Sequence, residues 1–428
     1  MAAVRSKARL RYFQFADRSN MRTHRSSIIL AIILGIQVLF SVSAVAAEAS
    51  AATVTRVVVL GVSHSNQLVA EGDQPAMLDA FIARVHPDAI CIERAPRPYS
   101  RGDFYEFTYE QQGVVVPYAR RHHIAIYPID WEPSREDELL GWGIDLDTPP
   151  ELRPDTGFQA FTTFTRSDLD GKLYDFDNPA NLASVVKWET HTPAKLSRDM
   201  SRRLFLYRTF MQAKRIEAVA RSHRGQTVLV VVGYFHKHDI EAILRDDKGI
   251  RLIEASRFGL PTPQEIRQHD RPEYEYAVAT FNLLGKQFST GAVNTKWVGA
   301  IVADLSAKHP DSAEVRLLAT RLALLTHAIN PSQAVARYRA ILADGKDVPF
   351  TWTGVQDASR VDSYFDPFGN LTVHQRTQVE LARMLYQTHD AAAANALLPK
   401  IQAQLTPRKA AQLVGYWQQE LLTSHKKN

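Results

Sequence analysis

The chain has 428 residues, 45% of them hydrophobic and 23% charged, ordinary values for a globular protein and enough length for two domains with ample cores. Its net charge of +5 is concentrated at one end: residues 1–46 hold seven Lys/Arg and one acid, which leaves 44 basic against 45 acidic residues in the rest. A near-neutral body gives no support to a nucleic-acid partner, and a single cysteine, Cys91, excludes an intrachain disulfide.

Read from the N-terminus, the first segment has the order of a secretory signal peptide. Arg22 and Arg25 precede an almost unbroken aliphatic run from Ser27 to Phe40, and Ala44-Val45-Ala46 follows as a small-x-small cleavage pattern. Export to the periplasm or the exterior is expected, with cleavage near Ala46; an uncleaved membrane anchor is the alternative, although the run is short for a span. From 53 to 262 strand-like and helix-like segments alternate, as in an α/β layer fold. Strands are expected at Val57–Leu60, Ala89–Ile92, Ile124–Ile129, Val228–Val232 and Arg251–Ile253. The first and fourth run into a glycine, which reads as a strand meeting a tight turn, and each glycine opens a Gly-x-x-His pattern: Gly61-Val62-Ser63-His64 and Gly233-Tyr234-Phe235-His236.

One helix carries Met77, Leu78, Phe81, Ile82 and Val85 at helical spacing, and another runs from Ser197 to Ser222. The stretch from Trp131 to Pro193, rich in Pro, Gly and Asp, reads as a partly helical insertion or a substrate-covering segment. Thr262-Pro263-Gln264-Glu265 then announces a helix with an N-cap, Pro at N1 and Glu at N3. Residues 272–428 lack strand-like runs. Helices are expected over Trp297–Leu305, Val315–His327, Gln333–Leu342, Gln375–Tyr386, Ala391–Leu405 and Arg408–Leu422, with Asn330-Pro331 and Thr406-Pro407 as further caps. This second, all-α domain has the look of a helical repeat of the tetratricopeptide kind, without a clean repeat of about 34 residues. An aromatic loop, Phe350–Asn370, interrupts it; local packing is the simplest reading of its rings.

Four of the expected strands end in a residue able to bind metal or move a proton: His64, Glu93, Asp130 and His236. Parallel strands would bring them to one edge of the sheet, where open α/β folds build their sites. Two His and a carboxylate suit a catalytic divalent metal whose bound water is the nucleophile, and oxygen-rich surroundings admit Mn or Co beside Zn. Cys91, inside an apolar run, reads as a small buried hydrophobe. His238, Asp239 and Glu241 read as the start of a helix, and His122-His123 as a solvated helix end.

The segments GVSH, CIERA, YPIDW and VVVGYFHKHDI resemble the TraB/Tiki superfamily, which takes in pheromone-shutdown and GumN-like proteins and, more distantly, the erythromycin-esterase and ChaN-like haem-binding proteins. The resemblance spans about residues 55 to 258. It implies an EreA/ChaN-like domain with a central, mostly parallel sheet, the paired motifs lying in related halves. It also implies a metal site of His64, His236 and Glu93, and an arginine on the helix before the second motif. That arginine maps to Arg208, followed here by Thr209 where the family often has Asn or Asp; Arg198-Asp199 lies further off. Asp130 resembles an Asp at a strand end in the TraB branch. The branches differ in chemistry, so several functions are open. The first is an exported, metal-dependent hydrolase, peptidase- or amidase-like, with Glu93, Arg208 and Asp130 as catalytic candidates. The others are a metal-independent esterase-like enzyme and a non-catalytic binder of haem or another ligand. A peptide or small-molecule substrate is implied, and the helical domain would either dock a protein partner or cap the α/β domain.

Overall fold

Five short runs rich in Val and Ile form one all-parallel sheet. They are β1 (Thr55–Val62), β2 (Ala89–Ile92), β3 (Ala125–Pro128), β4 (Thr227–Gly233) and β5 (Ile250–Glu254), in the order β3-β2-β4-β1-β5. The computed structural model describes residues 54–134, 136–137, 139, 161–193, 199–344 and 346–422. The signal-like segment 1–46, Arg198 and part of the stretch from Trp131 to Pro193 lie outside them. Each expected strand is present, its ends moved by no more than two residues.

The three central strands are nearly continuous apolar runs because both faces of the sheet are covered. Side chains alternate between the faces. Val57, Val59, Val228 and Val230 meet one layer, while Val58, Leu60, Leu229 and Val231 meet the other. In chain order the helices around the sheet are α1 (Pro75–Val85), α2 (Val116–Arg121), α3 (Pro179–Glu189), α4 (Met200–Ser222) and α5 (Tyr234–Leu244). From α4 and α5 come Ala213, Ile216, Ala220, Ile240 and Leu244 against the first face. Leu78 and Phe81 of α1 and Ala119 of α2 lie against the second. The edge strands β3 and β5 are partly open, with Arg251 and Glu254 turned to solvent.

Beyond the sheet follow α6 (Pro263–His269), α7 (Pro272–Leu283), α8 (Thr295–Lys308), α9 (Ala313–Leu325), α10 (Pro331–Ala343), α11 (Val373–Gln387) and α12 (Pro407–Trp417). The caps read from sequence are made: Thr262 and Asn330 form capping boxes, and Thr406 accepts the Lys409 N–H. The helix expected over Ala391–Leu405 is instead two short ones, Ala391–Asn395 and Leu398–Gln402. Pro399 lacks the N–H that a continuous helix needs. Among the described residues, one hydrophobic core runs from the second face of the sheet into α7–α12. Phe365 and Phe368 of the aromatic loop are wholly buried in it, Phe365 lying against Phe281 and Trp352. No helix among the described residues is long and apolar enough to cross a membrane.

A buried ionic cluster ties the helical layer together. Glu380 of α11 accepts from Arg321 of α9 (2.8 Å), Arg376 (3.1 Å) and Arg383 (3.2 Å), and Arg376 also pairs with Asp366. Arg321 Nε and Arg376 Nη2 cap the end of α7 at the Leu283 and Leu284 carbonyls. Burial opposes ionisation of Glu380, but the three guanidiniums outweigh it and hold the pKa down at about 2. Glu380→Gln strands these arginines in the interior, and denaturant unfolding is expected to show a loss of about 3–5 kcal/mol. A loss under 1 kcal/mol would mean that the cluster is not holding α9 to α11.

Candidate active site at the carboxyl edge of the sheet

Register sets the heights at this edge. Val62 of β1 pairs with Gly233 of β4, and Ile92 of β2 pairs with Val231. Glu93, one residue past β2, therefore lies level with the end of β4. Its carboxylate is 3% exposed and central to everything around it. Oε2 accepts the Gly233 N–H at 2.6 Å and faces His64 Nε2 at 3.6 Å; Oε1 accepts from Arg208 Nη2 at 2.8 Å and faces His236 Nε2 at 3.3 Å. Burial alone would raise the Glu93 pKa. Interactions with His236, His64 and the Arg208 guanidinium outweigh it and hold the carboxyl below the usual carboxylate range.

His64 sits in the loop after β1, where Ser65 takes up a left-handed conformation (φ 58°). Its Nδ1 is 2.8 Å from Oε1 of the wholly buried Glu110, which fixes the ring and turns Nε2 toward Glu93. Phe107 lies edge-on at 5.3 Å, and the imidazole stays 20% exposed. Burial lowers its pKa, but Glu110 and Glu93 raise it further, to about 9. His236 belongs to the first turn of α5 and is 2% exposed. Thr209 Oγ1 is 2.7 Å from its Nδ1, and Phe205 stacks on the ring at 4.3 Å.

Arg208, on α4, closes the group. Nε and Nη2 each donate to Asp130 at 2.6 Å, Nη2 also reaches Glu93, and Nη1 has no partner among the described residues. Asp130 further accepts from Tyr105, Gln212 and the Trp131 N–H, so its oxygens are saturated and it acts as the anchor for Arg208. Arg208 and those donors keep it ionised despite burial. The structure thus brings His64, Glu93, Asp130, Arg208 and His236 into one network.

The neighbouring cation Arg94 is turned away, paired with Asp103 and Glu132. Cys91 is buried under the first face and its thiol pKa is pushed up by burial alone. Sequence reasoning missed Glu110, Thr209, Tyr105 and Gln212. Glu110 lies in the π-helical turn Glu110–Val115 and carried no motif; Thr209 could have been flagged as the neighbour of Arg208.

Only the second glycine closes its strand, with α5 starting at the next residue, and neither takes up the positive φ that glycine alone favours. β1 continues through Gly61 to Val62, and Gly233 has φ −54°. Each is instead required by close approach to the other motif. A Cβ on Gly233 would lie 2.5 Å from His64 Nε2, and one on Gly61 would lie 3.0 Å from the Lys237 side chain and 3.2 Å from Tyr234 Cα.

Glu93, Glu110 and Asp130 bring three negative charges against one on Arg208, a deficit that two imidazolium protons or one divalent cation would close. Both Nε2 atoms face the carboxylate and both Nδ1 atoms are held from behind, an arrangement suited to ligating histidines. A different group, Glu189, His238 and Asp239, could also hold a metal ion. Among the described residues it is the one such set of three whose ligand atoms lie within 4.8 Å of one another; those of His64, Glu93 and His236 are spread more widely. A cavity of about 440 Å³ lies among the C-terminal helices, but the Arg321, Arg376 and Arg383 that line it are engaged by Glu380, Asp366 and backbone carbonyls. Compared with known proteins, the chain matches no family model, no curated protein and no solved structure.

Gly233→Ala is expected to cost about 1–3 kcal/mol of stability by overpacking and to displace His64, a shift seen in its imidazole NMR signals. Gly61→Ala, whose nearest contact is a flexible lysine stem, should cost less. Equal costs would refute the reciprocal-packing account. The His64 pKa also makes a pH prediction. A folded value near 9 against an ordinary 6.5 means stabilisation that is complete below about pH 6.5 and lost as pH rises through about 9. In chelator-treated protein the melting temperature should fall across that window, and His64→Asn should flatten the fall.

Proposed function

We propose that the chain is an exported hydrolase of the TraB/Tiki type, peptidase- or amidase-like, with an EreA/ChaN-like α/β domain and a helical-repeat-like C-terminal part that docks a partner. The observation that supports it most is that the two Gly-x-x-His imidazoles, from just past the neighbouring strands β1 and β4, turn Nε2 toward one carboxylate that Arg208 also holds. In this reading His64, His236 and Glu93 hold a divalent ion, Mn, Co or Zn, which when bound supplies an activated water. Arg208 presents Nη1 to the oxygen on which charge develops, a contribution worth several kcal/mol. Asp130 keeps that guanidinium in place, and Glu110 and Thr209 keep the two rings in place. Phe107, 39% exposed beside His64, gives the entrance an apolar wall.

A second reading, a metal-free esterase-like hydrolase, is favoured by the wide spread of the three sets of ligand atoms. In it His64, the more open of the two rings, moves the proton at Nε2 while Glu110 orients it. Metal analysis of the purified chain, with hydrolysis of chromogenic peptide amides and esters before and after chelation, separates the two. Loss of one equivalent of Mn, Co or Zn in a His64→Ala/His236→Ala variant, along with the activity, supports the metal enzyme. Hydrolysis that survives chelation supports the second. Arg208→Lys should lower kcat roughly 10²–10³-fold with little change in KM. Full activity in either His→Ala variant would sink the shared site altogether.

A further inference from the structure

Further along α5 from His236, two carboxylates and an imidazole meet, and the one cation at hand, Arg202, donates to the Glu189 backbone carbonyl at 2.6 Å rather than to a carboxylate. Glu189 is the last residue of α3; His238 and Asp239 lie on α5. His238 Nδ1 is 3.1 Å from Glu189 Oε2 and 3.1 Å from Asp239 Oδ1. Glu189 is 94% buried, and its other oxygen, Oε1, is buried with no hydrogen-bond partner. Neither carboxylate pairs with Lys or Arg among the described residues. The placement is unfavourable in a further way, because a buried unpaired oxygen carries a desolvation cost.

We propose that Glu189, His238 and Asp239 form a binding site for a divalent cation of the Zn²⁺ class, separate from His64, Glu93 and His236. One imidazole nitrogen and two carboxylate oxygens are a donor set that Zn²⁺ accepts. Separations of 3.1 Å between donors approach the edges, roughly 3.3 Å, of a tetrahedron with bonds of about 2.0 Å. His238 is 41% exposed, so an ion can enter from solvent and keep water in its remaining position. The ion neutralises both carboxylates and fastens the end of α3 to α5, the helix that carries His236. The proposal does not depend on the reaction assigned to the principal site.

The test is Zn²⁺ binding to the full chain after chelation, read as ions per chain and as the shift in melting temperature, with Co²⁺ as a spectroscopic probe. The His64→Ala/His236→Ala variant, shown to be folded by circular dichroism, should still bind one Zn²⁺ and gain a few degrees of melting temperature. His238→Gln and Asp239→Asn, both at partly exposed positions, should each weaken that binding roughly tenfold or more. Unchanged Zn²⁺ stoichiometry and affinity in both of these variants would overturn the proposal, as would a folded His64→Ala/His236→Ala chain that binds none. Should that double variant not fold, wild type against His238→Gln decides alone: one equivalent lost supports the site, and equal counts overturn it.

Discussion

Everything at the carboxyl edge of the sheet depends on where the Glu93 carboxylate is held. It is nearly dry, so it persists as an anion only because a backbone N–H, a guanidinium and two imidazoles surround it. Those groups come from four places in the chain: the loop after β1, helix α4, the end of β4 and the first turn of α5. Each must be placed to within a few tenths of an ångström of one oxygen pair. The parallel sheet does this, because a fixed register puts the ends of β2, β4 and β1 at the same level.

Close approach is the second constraint, and it explains the glycines better than chain reversal does. His64 reaches Glu93 by passing over the backbone of Gly233, where a methyl group would occupy the space of its Nε2. Gly61 in turn clears the start of α5. The two motifs are therefore one packed object: each glycine makes room for part of the other copy. Similar sequence patterns arise here from a mutual steric requirement, with no need for two identical turns.

Much of this was legible in the chain. The aliphatic runs fixed five strands because buried parallel strands leave few polar residues inside, and the residues just past them, His64, Glu93, Asp130 and His236, stood out for that reason. The Pro-led caps located α6, α10 and α12. What stayed hidden depends on tertiary contact. Glu110 is 46 positions from His64 and sits in a π-turn with no pattern of its own. Glu189 fell inside the stretch read as an insertion and His238 at the start of a helix, and only the docking of α3 on α5 makes them neighbours. Nor did Thr209 declare itself. Its hydroxyl holds His236 Nδ1 from 27 positions away.

The charge count sharpens what Arg208 is for. Asp130 takes two of its donors and Glu93 shares one, so the guanidinium is fixed in plane by two carboxylates while Nη1 is left over. An arginine needed only for neutralisation has no reason to be clamped so rigidly, since a flexible lysine supplies the same charge. Rigid clamping instead aims the two N–H groups left on Nη1 in fixed directions, as the role proposed for them at a developing oxygen would require. Asp130, buried and saturated, is then best understood as part of the arginine, and Glu93 as the junction where that fixed cation meets the two histidines. The same junction limits His64. Its ring is the most solvent-accessible of the five groups, yet its proton is held by Glu110 on one side and drawn to Glu93 on the other. Any chemistry His64 performs must work against that pull, and a divalent cation taking the place of the proton would relieve it.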